Sequence, residues 1–240
     1  MNNISAYRNA LGHKQELVNK NSLDDIAKYH GTDKSSETHN YCKKYQKYFP
    51  YNRYDSLKIL EIGIWEGESL RMWKDYYSNS TIIGIDINKD CLIHKNENQK
   101  IFVEIGSQND KSFLEYIMNK WGPFDLIIDD GSHMNSDVIF SFINLFDSVK
   151  NHGIYVVEDS CCSYWNNYGG GFRNENGSVE FFKNLIDDVN FNGEYSNTFW
   201  NVLARREDYL TQHINNIGLD IRTDIESINF MNSIILITKR

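Results

Sequence analysis

The pattern of apolar and polar positions changes near Leu57. Beyond it, short apolar runs alternate with longer amphipathic stretches. The runs are LKILEIG, IIGIDI, IFVEIG, FDLIIDD and GIYVVED. Each is nearly all apolar, as expected of strands buried on both faces of a parallel sheet. Between them lie SLRMWKDYY, the polar CLIHKNENQ, KSFLEYIMNKW and SDVIFSFINLFDSVK, which read as helices. Strand–helix alternation predicts right-handed βαβ crossovers and an open sheet with helices on both faces. The last residues, ESINFMNSIILITKR, form two strand-like runs around Met231-Asn232-Ser233 and predict an antiparallel hairpin. The expected fold is α/β and Rossmann-like: a doubly wound, mostly parallel seven-stranded sheet closed by a C-terminal antiparallel hairpin.

The segment before Leu57 has no strand pattern. Its first 22 residues are polar and expected to be helical in part. Ser22 with Asp25 three residues on has capping-box character. It opens a short helix, LDDIAKYH, that stops near Gly31. A polar loop, GTDKSSETHN, follows, and then YCKKYQKYFPYN, an aromatic-rich helix ending at Pro50. Residues 1–55 are accordingly read as a helical cap and residues 56–240 as the main domain. Past the fifth strand, Gly169-Gly170-Gly171 suggests a mobile flap, and SVEFFKNLIDD a further helix.

A chain of 240 residues supports one sizeable core. Its net charge of -8 does not suit a protein that neutralises phosphate backbones, so no nucleic-acid partner is expected. Lys43, Lys44 and Lys47, interleaved with Tyr41, Tyr45 and Tyr48, are read as a solvated helix face. Cys42, Cys91, Cys161 and Cys162 include no C-x-x-C pair, which argues against a cysteine-rich zinc site and for reduced thiols. The first residues lack the apolar core of a signal peptide, and no apolar run is long enough to span a membrane. The expected location is the cytoplasm, with no membrane partner; homo-oligomerisation is left open.

Open α/β sheets bind ligands at the carboxyl ends of their strands. The first strand ends in Glu61-Ile62-Gly63, followed by Gly67. A dinucleotide fingerprint starting at Gly63 would need glycines where Trp65 and Glu68 stand, so that motif fails. Glu61, Glu66 and Glu68 would also repel a pyrophosphate. An acidic loop is better matched to a ligand carrying an ammonium and a sulfonium, as S-adenosylmethionine (SAM) does. The second strand ends in Asp86, placed to accept hydrogen bonds from two ribose hydroxyls. Ser107 and Gln108, after the third strand, are placed to line an adenine pocket.

The fourth strand ends in Asp129-Asp130-Gly131-Ser132-His133 and the fifth in Glu158-Asp159. Crowded carboxylates repel one another, and a hard divalent cation such as Mg²⁺ relieves the repulsion. Asp130, Glu158 and Asp159 are the candidate ligands. Asp129 is expected to face the cofactor, although it and Asp130 could exchange roles. An imidazole can take up a proton near neutral pH, so His133 is the candidate general base, acting on a hydroxyl that Asp130 and a metal help to orient.

GTDK (31–34), HNY (39–41), EIGIWEGESLRMW (61–73), GIDI (84–87), DDGSH (129–133) and VVED (156–159) resemble the macrocin- and mycinamicin-type sugar O-methyltransferases. The novobiocin-type enzymes are relatives of that family. The resemblance covers about Leu23 to Trp165. It implies a class I methyltransferase fold, SAM and Mg²⁺ as cofactors, and methylation of a sugar hydroxyl. It also implies that the metal ligands are Asp130, Glu158 and Asp159 and that His133 is the base. By the same resemblance the segment from GTDK to HNY folds over SAM, bringing Asp33, Lys34, His39 or Tyr41 near it. The region from Cys161 to about Asn201 resembles nothing identifiable, so the saccharide or other small-molecule acceptor stays open. Tyr164, Trp165 and Tyr168 are candidates to stack on it. Alternatives are methyl transfer to a nitrogen or phosphorus-linked group, an NAD-dependent oxidoreductase, and a non-catalytic nucleoside-binding protein.

Overall fold

The structure, a computed structural model, describes residues 22–190 and 222–240. The partly helical reading of the residues before Ser22 lies outside it, as does the end of the acceptor region beyond Asn190.

The cap opens as its sequence dictates. The Ser22 hydroxyl accepts the backbone N–H of Asp25, and the Asp25 carboxylate accepts the backbone N–H of Ser22, closing a capping box on helix α1 (Leu23–His30). Gly31, in the left-handed region at φ 79°, ends it. Helix α2 (Tyr41–Tyr48) follows a loop of turns. Its lysines and tyrosines separate: Lys43 and Lys47 are exposed, but Tyr41 and Tyr45, four residues apart on one face, are buried. Only part of that helix is the solvated face expected of it.

Strands β1 (Lys58–Ile62), β2 (Thr81–Asp86), β3 (Ile101–Ile105), β4 (Phe124–Asp129) and β5 (Val149–Glu158) are mutually parallel. Strands β6 (Ile225–Met231) and β7 (Ile234–Lys239) form the terminal hairpin, and β7 lies antiparallel to β5. The single seven-stranded sheet has the order β3-β2-β1-β4-β5-β7-β6. The strand order reverses between β1 and β4, with β2 and β3 on one side and β5 on the other, which opens a crevice at their carboxyl ends.

Side-chain alternation divides the core into two layers. Ile59, Ile82, Leu126, Ile128 and Val156 face one side, where they pack with Leu23, Ile26 and Tyr45 of the cap and with Met72 and Trp73 of helix α3 (Glu68–Tyr76). Leu60, Ile83, Ile127, Tyr155 and Val157 face the other. There they meet helices α4 (Lys111–Trp121), α5 (Asn135–Leu145) and α6 (Ser178–Asn190). The cap thus shares a core with the sheet.

Two local expectations change. CLIHKNENQ forms no α-helix; residues 89–94 and 97–99 make short 3₁₀ turns capped by Asn88 and Asn96. The segment has no apolar stripe to bury, so nothing favours a longer helix. The triple glycine is a packed turn in place of a flap. Gly170 and Gly171 donate to the carbonyls of Trp165 and Ser163, and a Cβ on Gly170 would collide with the Ser163 carbonyl. The side-chain amide of Asn135 donates to the Tyr168 carbonyl at 2.8 Å.

Candidate active site

A crevice of about 660 Å³ opens over the carboxyl ends of β1, β2, β3 and β4, roofed on one side by the loop after α1. Its floor depends on Gly63 (φ 79°), where a Cβ would strike the carbonyl of Asp130. The backbones of the first and fourth strand ends therefore come closer than any side chain allows. Asp86 fastens the same turn. One of its carboxylate oxygens accepts the N–H of Ile64 at 3.0 Å, the other that of Asn88 at 2.8 Å. Gly67 (φ 67°) does not line the crevice; a Cβ there would collide with the His94 ring.

Asp33, Glu68, Asp86, Asp130, Asp137 and Asp159 all line the crevice. The lysine among the lining residues, Lys34, has its ammonium turned onto buried acids. Such a surface attracts cations and repels a pyrophosphate.

Ser107 and Gln108 line the crevice as well, but the Gln108 amide is engaged by protein. Its nitrogen donates to Asp129 at 3.1 Å and to Ser141 at 3.0 Å, and its oxygen accepts the N–H of Ser132 at 2.7 Å. Gln108 is a clamp on the loop after β4 more than a hydrogen-bonding partner for a base.

Asp129 does not face the crevice. It follows Ile127 by two residues and so points into the α4–α6 layer, where the Tyr155 hydroxyl donates to it at 3.1 Å. Burial pushes its carboxyl up to about 7, against the hydrogen bonds from Tyr155 and Gln108. The same parity carries Glu61 and Glu158 to the cap side. Glu61 is fully buried beneath the crevice, not on its surface. Burial raises it to about 7, with Lys34 opposing.

The feature that sequence reading missed is the position of Lys34. Its side chain is 1% exposed, and its ammonium donates to Asp130 at 2.5 Å and to Glu158 at 2.6 Å, with Glu61 at 3.4 Å. Burial disfavours charge there, but the carboxylates of Asp130, Glu158 and Glu61 outweigh it and hold the lysine well above its ordinary value. The Tyr45 hydroxyl donates to the other oxygen of Glu158. Thr32 and Ser35 are also buried, and Ser36 is fastened to Asp24 through its N–H at 2.6 Å and its hydroxyl at 2.7 Å. The polar loop GTDKSSETHN is thus partly interior.

Tyr41 and His39 meet the acids at the chemistry end of the crevice. The Tyr41 hydroxyl donates to Asp159 at 2.6 Å, and His39 Nδ1 lies 3.1 Å from the same oxygen. His133 Nε2 lies 3.7 Å from the other Asp159 oxygen. Both His133 (φ 56°) and Asp159 (φ 48°) sit in the left-handed region, uncommon for residues with side chains and frequent where a site dictates the backbone. Donor atoms of Asp130, His133 and Asp159 all lie within 4.8 Å of one another, a spacing that would admit a metal ion. Glu158 is not in that group, since both of its oxygens face the cap.

Comparison with known proteins identifies the family and the fold. Residues 60–160 match the family described as "Methyltransferase domain". The chain is 35% identical over 180 residues to demethylmacrocin O-methyltransferase of Streptomyces fradiae, covering 71% of this chain and 45% of that protein. It is equally similar, at 35% over 180 residues, to mycinamicin VI 2''-O-methyltransferase of Micromonospora griseorubida, covering 71% of this chain and 44% of the relative. Among solved structures, the MycE methyltransferase of mycinamycin biosynthesis, in complex with Mg and SAH, superposes with a TM-score of 0.77 at 28% identity. The match covers 92% of this chain and 55% of that one. The chain therefore spans about half the length of these relatives. It is a homologue of the macrocin- and mycinamicin-type sugar O-methyltransferases, built on the class I methyltransferase fold.

Proposed function

We propose that this chain is a SAM-dependent, divalent-metal-assisted O-methyltransferase acting on a sugar hydroxyl, with His133 as general base. The observation that carries the reading is the gathering of Asp130, His133 and Asp159 at the mouth of an acidic crevice. The relatives named above are O-methyltransferases, two of them acting on macrolides by name, and other relatives are named for tetracenomycin glycosides. Those names favour a natural-product glycoside over a nucleotide sugar or a surface polysaccharide.

The crevice acids suit the ammonium and sulfonium of SAM, and Asp86 is placed for its ribose. Bound SAM supplies an activated methyl group. The chain's residues supply alignment and a proton acceptor, which is most of what such a transfer needs. Mg²⁺ prefers oxygen donors, so Asp130 and Asp159 would hold it, joined by Glu158 if that residue leaves Lys34. There it would lower the pKa of an acceptor hydroxyl and orient it. His133, 24% exposed and beside Asp159, is left to take the hydroxyl proton. Trp165 is half exposed, and Tyr168 lies with its ring 6.3 Å from that of His133. Together they offer flat apolar faces to a sugar ring.

The test is transfer of labelled methyl from SAM to a panel of deoxysugar glycosides, with and without EDTA. Chelator-sensitive labelling of a glycoside supports the reading; labelling only of amines or phosphates would replace it.

A further inference from the structure

Asn135 lies two residues past His133, as the first residue of α5, and it is buried. Both ends of its side-chain amide are used. The nitrogen donates to the Tyr168 carbonyl at 2.8 Å, and the oxygen accepts the N–H of Ser178, the first residue of α6, at 2.6 Å. One side chain thus grips the segment between β5 and α6 at two points. Gly170 makes room for it: a Cβ there would stand 3.0 Å from the Asn135 nitrogen, besides striking the Ser163 carbonyl. The next N–H of α6, that of Val179, is accepted by the Ser163 hydroxyl at 3.1 Å. The loop that carries Trp165 and Tyr168 is therefore fastened to the same short stretch that carries His133.

We propose that Asn135 is a positioning residue for the acceptor. By fixing Tyr168 against His133 it sets where a sugar ring lies relative to the base. This rests on the acceptor reading above. Asn135 does not line the cofactor crevice; it acts through Tyr168.

The geometry explains how. Bonds within the loop, from Gly169 to the Asn166 carbonyl and from Gly170 to the Trp165 carbonyl, set its shape. The Asn135 bond ties that shape to α5. From His133 to Asn135 the path is two residues of backbone, and from Asn135 to Tyr168 it is one buried hydrogen bond. The rings of His133 and Tyr168, 6.3 Å apart, are the two ends of this short connection. An aromatic wall on a loop aligns a ligand only as well as its supports hold it. Methyl transfer is sensitive to that alignment, because a misplacement of about 1 Å can cost 10²-fold.

The experiment measures kcat and KM for methyl transfer from SAM to the deoxysugar glycoside labelled fastest in the panel above, with SAH affinity followed by calorimetry alongside. Asn135→Asp keeps an oxygen for the Ser178 N–H but sets a second oxygen against the Tyr168 carbonyl. The new carboxylate lies at the N-termini of α5 and α6, where helix dipoles favour it, so the fold is expected to hold. KM for the glycoside should rise about tenfold or more, with SAH affinity within about twofold of the unaltered chain. Gly170→Ala crowds the same contact without adding charge near His133. It should raise KM in the same direction, and it carries the test if Asn135→Asp does not fold. Tyr168→Ala should raise KM as well. Adding Asn135→Asp to Tyr168→Ala should raise it little further, because no ring is left to position.

Unchanged KM in folded Asn135→Asp or Gly170→Ala would overturn the proposal. So would KM effects that multiply in full in the double variant, or a loss of SAH affinity as large as the rise in KM. Each of these leaves the acceptor reading standing. Methyl transfer to no glycoside by the unaltered chain would overturn both.

Discussion

The side-chain oxygen of Gln108 accepts the backbone N–H of Ser132 at 2.7 Å, so a residue after β3 holds the turn that presents His133 after β4. The Gln108 nitrogen is bound beneath to Asp129 and Ser141. Gln108→Ala would leave the buried Asp129 carboxyl and the Ser132 N–H short of partners. A loss of about 1–3 kcal/mol in urea unfolding is expected, with a lower kcat because the His133 turn loosens. Unchanged stability and turnover would show that the clamp is dispensable.

The Gly63 position separates backbone strain from collision. Gly31 and Gly63 share φ 79°, but a Cβ on Gly31 meets nothing within 4 Å, while one on Gly63 meets the Asp130 carbonyl. Gly31→Ala should destabilise by about 1 kcal/mol. Gly63→Ala should lose clearly more and should also weaken binding of S-adenosylhomocysteine (SAH). Equal effects in parallel denaturation curves would contradict the close approach.

His133→Ala should leave SAH binding near normal and lower kcat by about 10²–10⁴-fold, the range for losing a general base. Turnover at the normal rate in this variant removes His133 from that role.

Stability should depend on pH through Glu61. Burial raises its carboxyl to about 7 from an ordinary 4.5. The folded state therefore holds a proton that the unfolded state has released between these values. Stability is fully present below about 4.5 and falls as pH rises through about 7, by something on the order of 3 kcal/mol. Glu61→Gln should flatten that decline when unfolding is followed in EDTA from pH 5 to 8. An unaltered slope would place the pH dependence elsewhere.

Much of this site was legible as strand ends. The alternation of apolar runs located β1 to β5; Asp86 ends β2, and Asp130 and Asp159 directly follow β4 and β5, all three at the crevice. Direction was harder to read. Counting the two-residue period on from Ile127 and Val156 sends Asp129 to one layer and Glu158 to the other, so acids adjacent at the strand ends do not share a face. Lys34 carried no local sign. A lysine in a polar loop looks solvated, and its burial is decided by partners 96 and 124 residues away. Tyr41 and Tyr45 gave a partial signal, since their spacing places both on one helical face.

Asp86 joins the fold to the cofactor reading most directly, because it fastens the Gly63 turn from inside the crevice. The decisive measurement is calorimetric titration of the chain and of Asp86→Ala with SAH, with NAD as the control ligand. The account predicts binding of SAH in roughly the micromolar range, no heat from NAD, and SAH affinity at least about tenfold weaker in Asp86→Ala. Binding of NAD in place of SAH, or SAH affinity indifferent to Asp86, would contradict it.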